Sequence, residues 1–271
     1  MVLKLLSMTV SGSLLICAIL GLRALLQHRV HRNVWLLLWT AVILRLLVPV
    51  TVASPVSIFN LPIFGQAAPA AAPVSTQTVS AVPTEVTVGA SASQPLSPAV
   101  WLPLLVWGCG LAAVLLTALI LHLRNRRSYR FSLPVEVSLP LPPGVRVRQL
   151  EGLAAPLTYG LSRPVILVPF GMGEEPERLA PVLHHELAHV RHGDVGYKAL
   201  LLLTAGVHWF NPLVWLMVYV AGQDLEMRAD AEAVAALGGQ RRSYAEALVS
   251  QEVQKLRGYL QTGFSYSGRS E

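Results

Sequence analysis

Three long apolar runs limit what this chain can become: roughly Leu5 to Leu26, Val34 to Val52 and Val100 to Leu121. As a helix, each is long enough to cross about 30 Å of hydrocarbon. Only 13% of the 271 residues are charged and 53% are hydrophobic, whereas a soluble domain carries about 25% charged residues. That balance describes an integral membrane protein with a modest aqueous part. The first run sits where a signal peptide would, but it lacks a clear cleavage site and a second run soon follows. The formal charge of +6 is read by location, because the basic residues cluster beside apolar runs, and no direct nucleic-acid binding is expected. Cys17 and Cys109 lie inside apolar runs, far from any CxxC spacing. They are expected to be small buried hydrophobes, not a disulfide or a metal site.

The arginines orient the runs. The loop after the first, "LRALLQHRVHRN", carries Arg23, Arg29 and Arg32. The exit from the third, "HLRNRRSYR", carries Arg124, Arg126, Arg127 and Arg130. The positive-inside bias then puts the N-terminus outside, the first loop in the cytoplasm, the second loop outside and the remainder in the cytoplasm. The second loop, Ser54 to Pro98, is rich in Pro, Ala, Ser and Thr and holds one charge, Glu85; by composition it is irregular. Arg45, inside the second run, is expected to pair within the bundle or to snorkel to an interface. The division that results is a membrane domain over residues 1–121, with three transmembrane helices and an external loop at about 53–99. A cytoplasmic-facing domain over residues 122–271 follows.

The aqueous part opens with strand candidates. "VEVSLP" and "VRVRQL" alternate as half-buried strands do, and "PVILVP", Pro164 to Pro169, is a short apolar strand bounded by prolines. The stretch Val165 to Val168 is expected to hold an extended substrate by edge pairing. "GMGEEPERLA" then leads into a helix with acidic residues near its first turn.

That helix carries His185-Glu186-Leu187-Ala188-His189. Residues four apart share a helix face, so two imidazoles can converge on one ion. Glu186, next to the first histidine, is placed to act as general base. His184 points to another face. His192 shares the stripe, but an unbroken helix sets it about 10 Å along the axis from His185, too far for one ion. Gly193 is expected to end the helix. Catalytic zinc usually takes a third protein ligand. Downstream, "QDLEMRADAEAV" offers Glu226 and Asp230, again four apart, a pattern that suits one carboxylate on zinc and one orienting a histidine.

Between these halves lies Val195 to Gly222, which hydropathy alone would make a span. One straight spanning helix would carry Glu226 about 30 Å from the histidines. Either Glu226 is no ligand or the segment bends back; Pro212 in "HWFNP" removes a donor and pushes Asn211 out of helical angles, so a membrane-dipping helical hairpin at about 195–222 is the expectation. His208, near the break, is read as an interhelical hydrogen bond in preference to an oxyanion stabiliser.

"HHELAHVRHGD", "HWFNPLVW" and "DLEMRAD", with "LRLLVPV" and "SIFN" upstream, resemble the BlaR/MecR family over nearly the whole chain. The resemblance implies a membrane-embedded gluzincin metallopeptidase of the beta-lactam signal transducer and antirepressor type. It implies zinc (Zn2+) held by His185, His189 and Glu226, with Glu186 as catalytic base and Asp230 as a supporting residue. It also implies a bacterial plasma-membrane protein whose cytoplasmic protease answers an external signal by cleaving a transcriptional repressor. The fold class expected is mainly α: a polytopic membrane protein carrying a small α+β cytoplasmic gluzincin domain. Family members commonly continue into another transmembrane helix and an external sensor domain. This sequence stops at Glu271 without them and without an SxxK nucleophile motif, so beta-lactam sensing by this chain alone is not expected. Two other readings stand beside this one: a housekeeping membrane protease of the CAAX-processing or heat-shock type, and a non-catalytic membrane signalling scaffold.

Overall fold

The structure is a computed structural model describing residues 2–48 and 98–246 together with Val249, residues 28 and 243 excepted. The expected external loop at 53–99 lies outside the described residues, apart from the last two positions, which open α3. The chain is mainly helical. Helices α1 (Val2–Leu26), α2 (Arg32–Leu47) and α3 (Pro98–Tyr129) come first, and a small sheet and helices α4 (Pro176–His192), α5 (Asp194–Val207) and α6 (Pro212–Ala236) follow.

Among the described residues two helices are long and apolar enough to cross a membrane, α1 over Leu5–Leu26 and α3 over Trp101–Tyr129. No residue in the most apolar window of α3 is fully buried within the protein, and Leu105, Leu116, Leu119 and Ile120 stand exposed on it. A core helix of a soluble protein would hide such a surface; this one suits lipid. Helix α2 has 16 residues, about 24 Å of rise, and it stops at Leu47 where the apolar run reaches Val52. Its Trp35, Trp39, Val42, Ile43 and Leu46 are buried, so much of that run serves packing. Arg45 sits in the last turn of α2, the position from which a long basic side chain reaches an interface.

Cys17 and Cys109 are free, as expected, but both are exposed on outward helix faces instead of buried. The buried stripe of α1 runs through Ile16 and Ile19, and Cys17 falls beside it. Apolar content alone did not say which face is covered.

The back-folded hairpin is present. Helices α5 and α6 turn at His208–Asn211, where Asn211 Oδ1 accepts from Leu213 N at 3.0 Å and Pro212 takes the first helical position. Leu201 and Ala205 of α5 and Val214, Met217 and Ala221 of α6 join Ile16, Trp39, Ile43 and Leu46 in one core. The tip of the hairpin is tied to the first three helices. His208, fully buried, donates from Nε2 to the Leu46 carbonyl at 3.0 Å, and its Nδ1 lies 3.0 Å from Thr9 Oγ1. Asn211 Nδ2 donates to Ser13 Oγ at 2.8 Å, and Trp107 Nε1 donates to the Val207 carbonyl at 2.8 Å. Two close approaches need glycine: a Cβ at Gly12 would sit 2.3 Å from Leu46 Cδ2, and one at Gly110 would sit 2.1 Å from Trp209 Cε2.

The sheet has strands β1 (Leu133–Pro134), β2 (Arg146–Leu150), β3 (Leu157–Tyr159) and β4 (Val165–Pro169) in the order β1-β2-β4-β3. Strands β2 and β4 are parallel; β3 runs antiparallel to β4. This corrects two expectations. "VEVSLP" forms no strand of its own: the strand paired with β2 lies just before it at Leu133–Pro134, and Val135 N adds one bond to the Val147 carbonyl before the segment leaves the ladder; Val135, Val137 and Leu139 pack on the core nonetheless. And β4 is paired on both sides, so it offers no edge; on its side of the sheet the outer strand is β3. The same core packs Val147, Ile166 and Val168 of β2 and β4 against Leu179, Leu183 and Leu187 of α4.

Candidate metal centre

Helix α4 starts with Pro176 at its first position and ends at Gly193, whose left-handed angles (φ 67, ψ 33) close the last turn. Its apolar stripe fixes its rotation on the sheet and turns His185 and His189 to a cleft of about 610 Å³. Helix α6 approaches from the other side. The hairpin makes that possible: Lys198 of α5 reaches Glu226 of α6, and Asp194 at the start of α5 meets Arg228, contacts that only antiparallel helices allow.

Three donor atoms converge. His185 Nε2 and His189 Nε2 lie 3.1 Å apart, and Glu226 Oε2 lies 3.5 Å and 3.4 Å from them. Ligands about 2.0–2.1 Å from a tetrahedral zinc stand roughly 3.3 Å from one another, so this spacing fits such an ion. The backs of both rings are held by carboxylates. Asp230 Oδ1 lies 3.0 Å from His185 Nδ1, and Asp194 Oδ2 lies 2.7 Å from His189 Nδ1. That leaves both Nε2 atoms facing the same point, the arrangement outer carboxylates impose on metal-binding histidines. Glu226 Oε1 is taken by Lys198 Nζ at 2.9 Å, so one oxygen of that carboxylate faces the histidines.

The electrostatics follow from these contacts. Hydrogen bonds to His185 and His189 hold the Glu226 carboxyl far below its ordinary range. Burial works against a charged His185, but hydrogen bonds to Asp230 and Glu226 outweigh it and push its pKa up to about 9. His189 is raised in the same way, burial being overcome by Asp194 and Glu226. Asp194 is buried, yet His189 and Arg228 keep its carboxyl below the usual value. Burial and the neighbouring Asp230 push the Tyr244 hydroxyl up. These are groups in which one added cation replaces protons.

Glu186 lies beside the cluster and is 7% exposed. Thr158 Oγ1, on strand β3, donates to Glu186 Oε2 at 2.7 Å. His184 is turned from the three donors, and burial and Arg191 lower its pKa. His192 is also outside the cluster, its Nε2 2.5 Å from Glu232 Oε1. His208 is engaged with α1 and α2, as the interhelical reading expects.

Four contributors were not singled out from sequence. Asp194 follows Gly193 in "RHGD", and a left-handed turn there swings the next carboxylate back on the helix end, so it was within reach of turn chemistry. Tyr244 donates to Asp230 Oδ1 at 2.7 Å and stands 3.0 Å from His185 Nδ1. Thr158 and Lys198 arrive from β3 and α5. Nothing in the spacing of these last three announces them.

The chain matches the BlaR1 peptidase M56 family over residues 3–262. It is also 34% identical over 79 residues to the regulatory protein BlaR1 of Bacillus licheniformis, a match covering 29% of this chain and 13% of that protein. The family match spans α1 through α6 and therefore includes the membrane-type helices, the paired histidines and Glu226. On that extent, the chain belongs to the BlaR1 peptidase M56 family.

Proposed function

We propose that this chain is a membrane-bound zinc metalloendopeptidase that acts as a signalling or antirepressor protease on a cytoplasmic protein such as a transcriptional repressor. The observation that carries the chemistry is the convergence of His185 Nε2, His189 Nε2 and Glu226 Oε2 at tetrahedral-edge spacing beside a buried glutamate. In this reading His185, His189 and Glu226 hold zinc, and Asp230 and Asp194 orient the two imidazoles. Bound there, zinc supplies Lewis acidity toward a scissile carbonyl and toward water. Glu186 takes the proton of the attacking water and returns it to the leaving amine. Thr158 occupies Glu186 Oε2, so Oε1 is the atom left to carry that proton. An extended substrate lies along the edge of β3, where backbone pairing needs no particular side chain.

The setting is part of the same proposal. Residues 1–121 form a membrane domain in a bacterial plasma membrane with the N-terminus outside, and residues 122–271 face the cytoplasm. The arginine bias supports this orientation. Reporter fusions near Ala70 should read outside and near Arg127 inside. The opposite pattern at both would place the cleft outside and remove cytoplasmic repressors as substrates. For the activity, a comparison of cellular proteins in cells expressing the native chain and Glu186→Ala tests the reading directly. A full-length cytoplasmic protein that accumulates only with the variant is the expected result; identical protein profiles would sink it.

A further inference from the structure

A second cavity, about 780 Å³, opens where α1 ends and α2 begins, and it meets the cleft at Lys198 and Glu226, which line both. Its walls carry Arg23 from the last turn of α1, Arg32 from the first turn of α2 and Lys198 from α5, with Gln27 and Gln223 as amide donors. Two of the three cations are answered within the protein. Arg23 Nη2 pairs with Asp224 at 2.8 Å, and Lys198 Nζ pairs with Glu226 at 2.9 Å. Arg32 makes no ion pair or side-chain hydrogen bond among the described residues, and the Nε of Arg23 is a buried donor with no partner. Three cations against two carboxylates leave one positive charge unmatched beside low-dielectric walls, which favours capture of a monoanion.

The position of the cavity selects the anion. Leu22 and Leu25 stand 42% and 82% exposed on the final turns of α1, and Tyr219 of α6, which lines the cavity, is 64% exposed. Apolar side chains, a tyrosine and arginines at the end of an apolar helix are the composition of a bilayer–water boundary. A phosphodiester seated there can take the guanidinium fork of Arg32, and its acyl chains can follow Val218 and Tyr219, which line the cavity, into the hydrocarbon. An acidic peptide would find the same charge but has no use for the exposed leucines.

We propose that this cavity binds the phosphate of an anionic phospholipid of the phosphatidylglycerol type, gripped by Arg32 and flanked by Arg23 and Lys198. The headgroup then draws on Lys198, the same cation that holds Glu226 Oε1, so its occupancy bears on the carboxylate shared with the cleft. The binding itself is independent of whether the cleft hydrolyses peptides.

The test is native mass spectrometry of the full chain, purified in mild detergent and offered equal amounts of phosphatidylglycerol and phosphatidylethanolamine. The native chain should retain one phosphatidylglycerol in clear preference to phosphatidylethanolamine. Arg32→Gln should lose about tenfold in that retention, the effect of removing a charge-assisted contact. Arg126→Gln, a charge-matched change at an exposed position of α3, should match the native chain. Arg32→Lys keeps the charge without the fork and should retain clearly more of the lipid than Arg32→Gln but less than the native chain, which separates ligand loss from misfolding of the glutamine variant. Equal retention in Arg32→Gln and Arg126→Gln overturns the proposal, as does equal retention of the two lipids. Displacement by inorganic phosphate at the same concentration would make this a free-phosphate site and overturn the lipid assignment. Displacement by an Asp/Glu-rich peptide would make it an extension of the substrate cleft and overturn it equally.

Discussion

His189 Nδ1 and Asp194 Oδ2 lie 2.7 Å apart, and the Asp194 side chain is only 2% exposed. Its other oxygen is taken by Arg228 of α6. From the first position of α5, one carboxylate thus fixes a histidine on α4 and pins α6. Asp194→Asn keeps the shape and removes the charge, so zinc affinity should fall by about 10–100-fold, the usual effect of losing such a partner. Asp194→Ala should do more. It strands the Arg228 guanidinium, which is 13% exposed, and breaking a buried pair from one side costs about 3–5 kcal/mol. Metal titration and thermal unfolding of the two variants should therefore diverge. Equal stability in both would mean that Arg228 finds water and the three-helix junction is looser than the contacts indicate.

Alanine at His185, His189 or Glu226 removes a donor atom and should abolish stoichiometric zinc together with proteolysis. Glu186→Ala removes no donor, so zinc should stay while turnover disappears. Asp230→Ala should fall between, at about 10–100-fold in affinity or activity. Metal analysis of purified protein beside a cleavage assay separates the three classes. Zinc lost equally in the Glu186 variant would make that residue structural.

Thr158 touches the proposed base without touching the proposed ligands. Thr158→Val is nearly isosteric and removes the 2.7 Å bond to Glu186 Oε2. We expect kcat to drop about tenfold, the worth of one hydrogen bond to a charged group, with KM and zinc content close to native. Thr158→Ser should restore kcat. A KM change without a kcat change would instead make Thr158 a substrate contact on the β3 edge.

Much of this was legible because coordination is a strong geometric constraint. An HExxH helix needs a third donor, and "DLEMRAD" supplies one only if the apolar segment between them folds back, which Pro212 permits. If Glu226 shares an ion with the histidines, these motifs require the α5–α6 hairpin. The edge strand was not legible: β4 is the more apolar candidate, but apolarity on both faces marks a central strand, and the edge fell to the shorter β3. Cys17 and Cys109 were misjudged for a related reason, since in helices meant for lipid an apolar residue is as much at home outside as inside. Tyr244 lies beyond α6, and only the packing of the chain after Ala236 brings it to Asp230.

The metal-free site should also report its own protonation. With its pKa near 9, His185 carries a proton at about pH 7 that zinc must displace. A raised folded-state pKa stabilises the metal-free chain fully below the ordinary histidine value of 6.5, and that contribution fades as pH climbs through about 9. Chelator-treated protein should therefore melt lower at about pH 10 than at about pH 7, and zinc affinity should rise over the same interval. Calorimetric titration in buffers of different ionisation heat should detect proton release at neutral pH that diminishes toward about pH 10. Absence of release at neutral pH would show His185 neutral before the metal arrives.

His208 offers the sharpest contrast with these residues, because a histidine downstream of an HExxH helix invites a catalytic role. Here it is fully buried between α1 and α2, donating to the Leu46 carbonyl and meeting Thr9 Oγ1, each at 3.0 Å. It cannot serve the cleft from that position. His208→Ala should lower stability by about 0.6–1.7 kcal/mol for each interhelical hydrogen bond lost, seen as a lower unfolding temperature in detergent. Zinc per folded molecule and kcat should stay at native levels. Thr9→Val should reproduce part of the stability loss, and the double variant should add less than the sum, as expected of residues in contact. A His208→Ala protein that stays as stable as the native chain but loses about a hundredfold in kcat, the size of an oxyanion-donor effect, would move His208 into the active site and displace the structural reading.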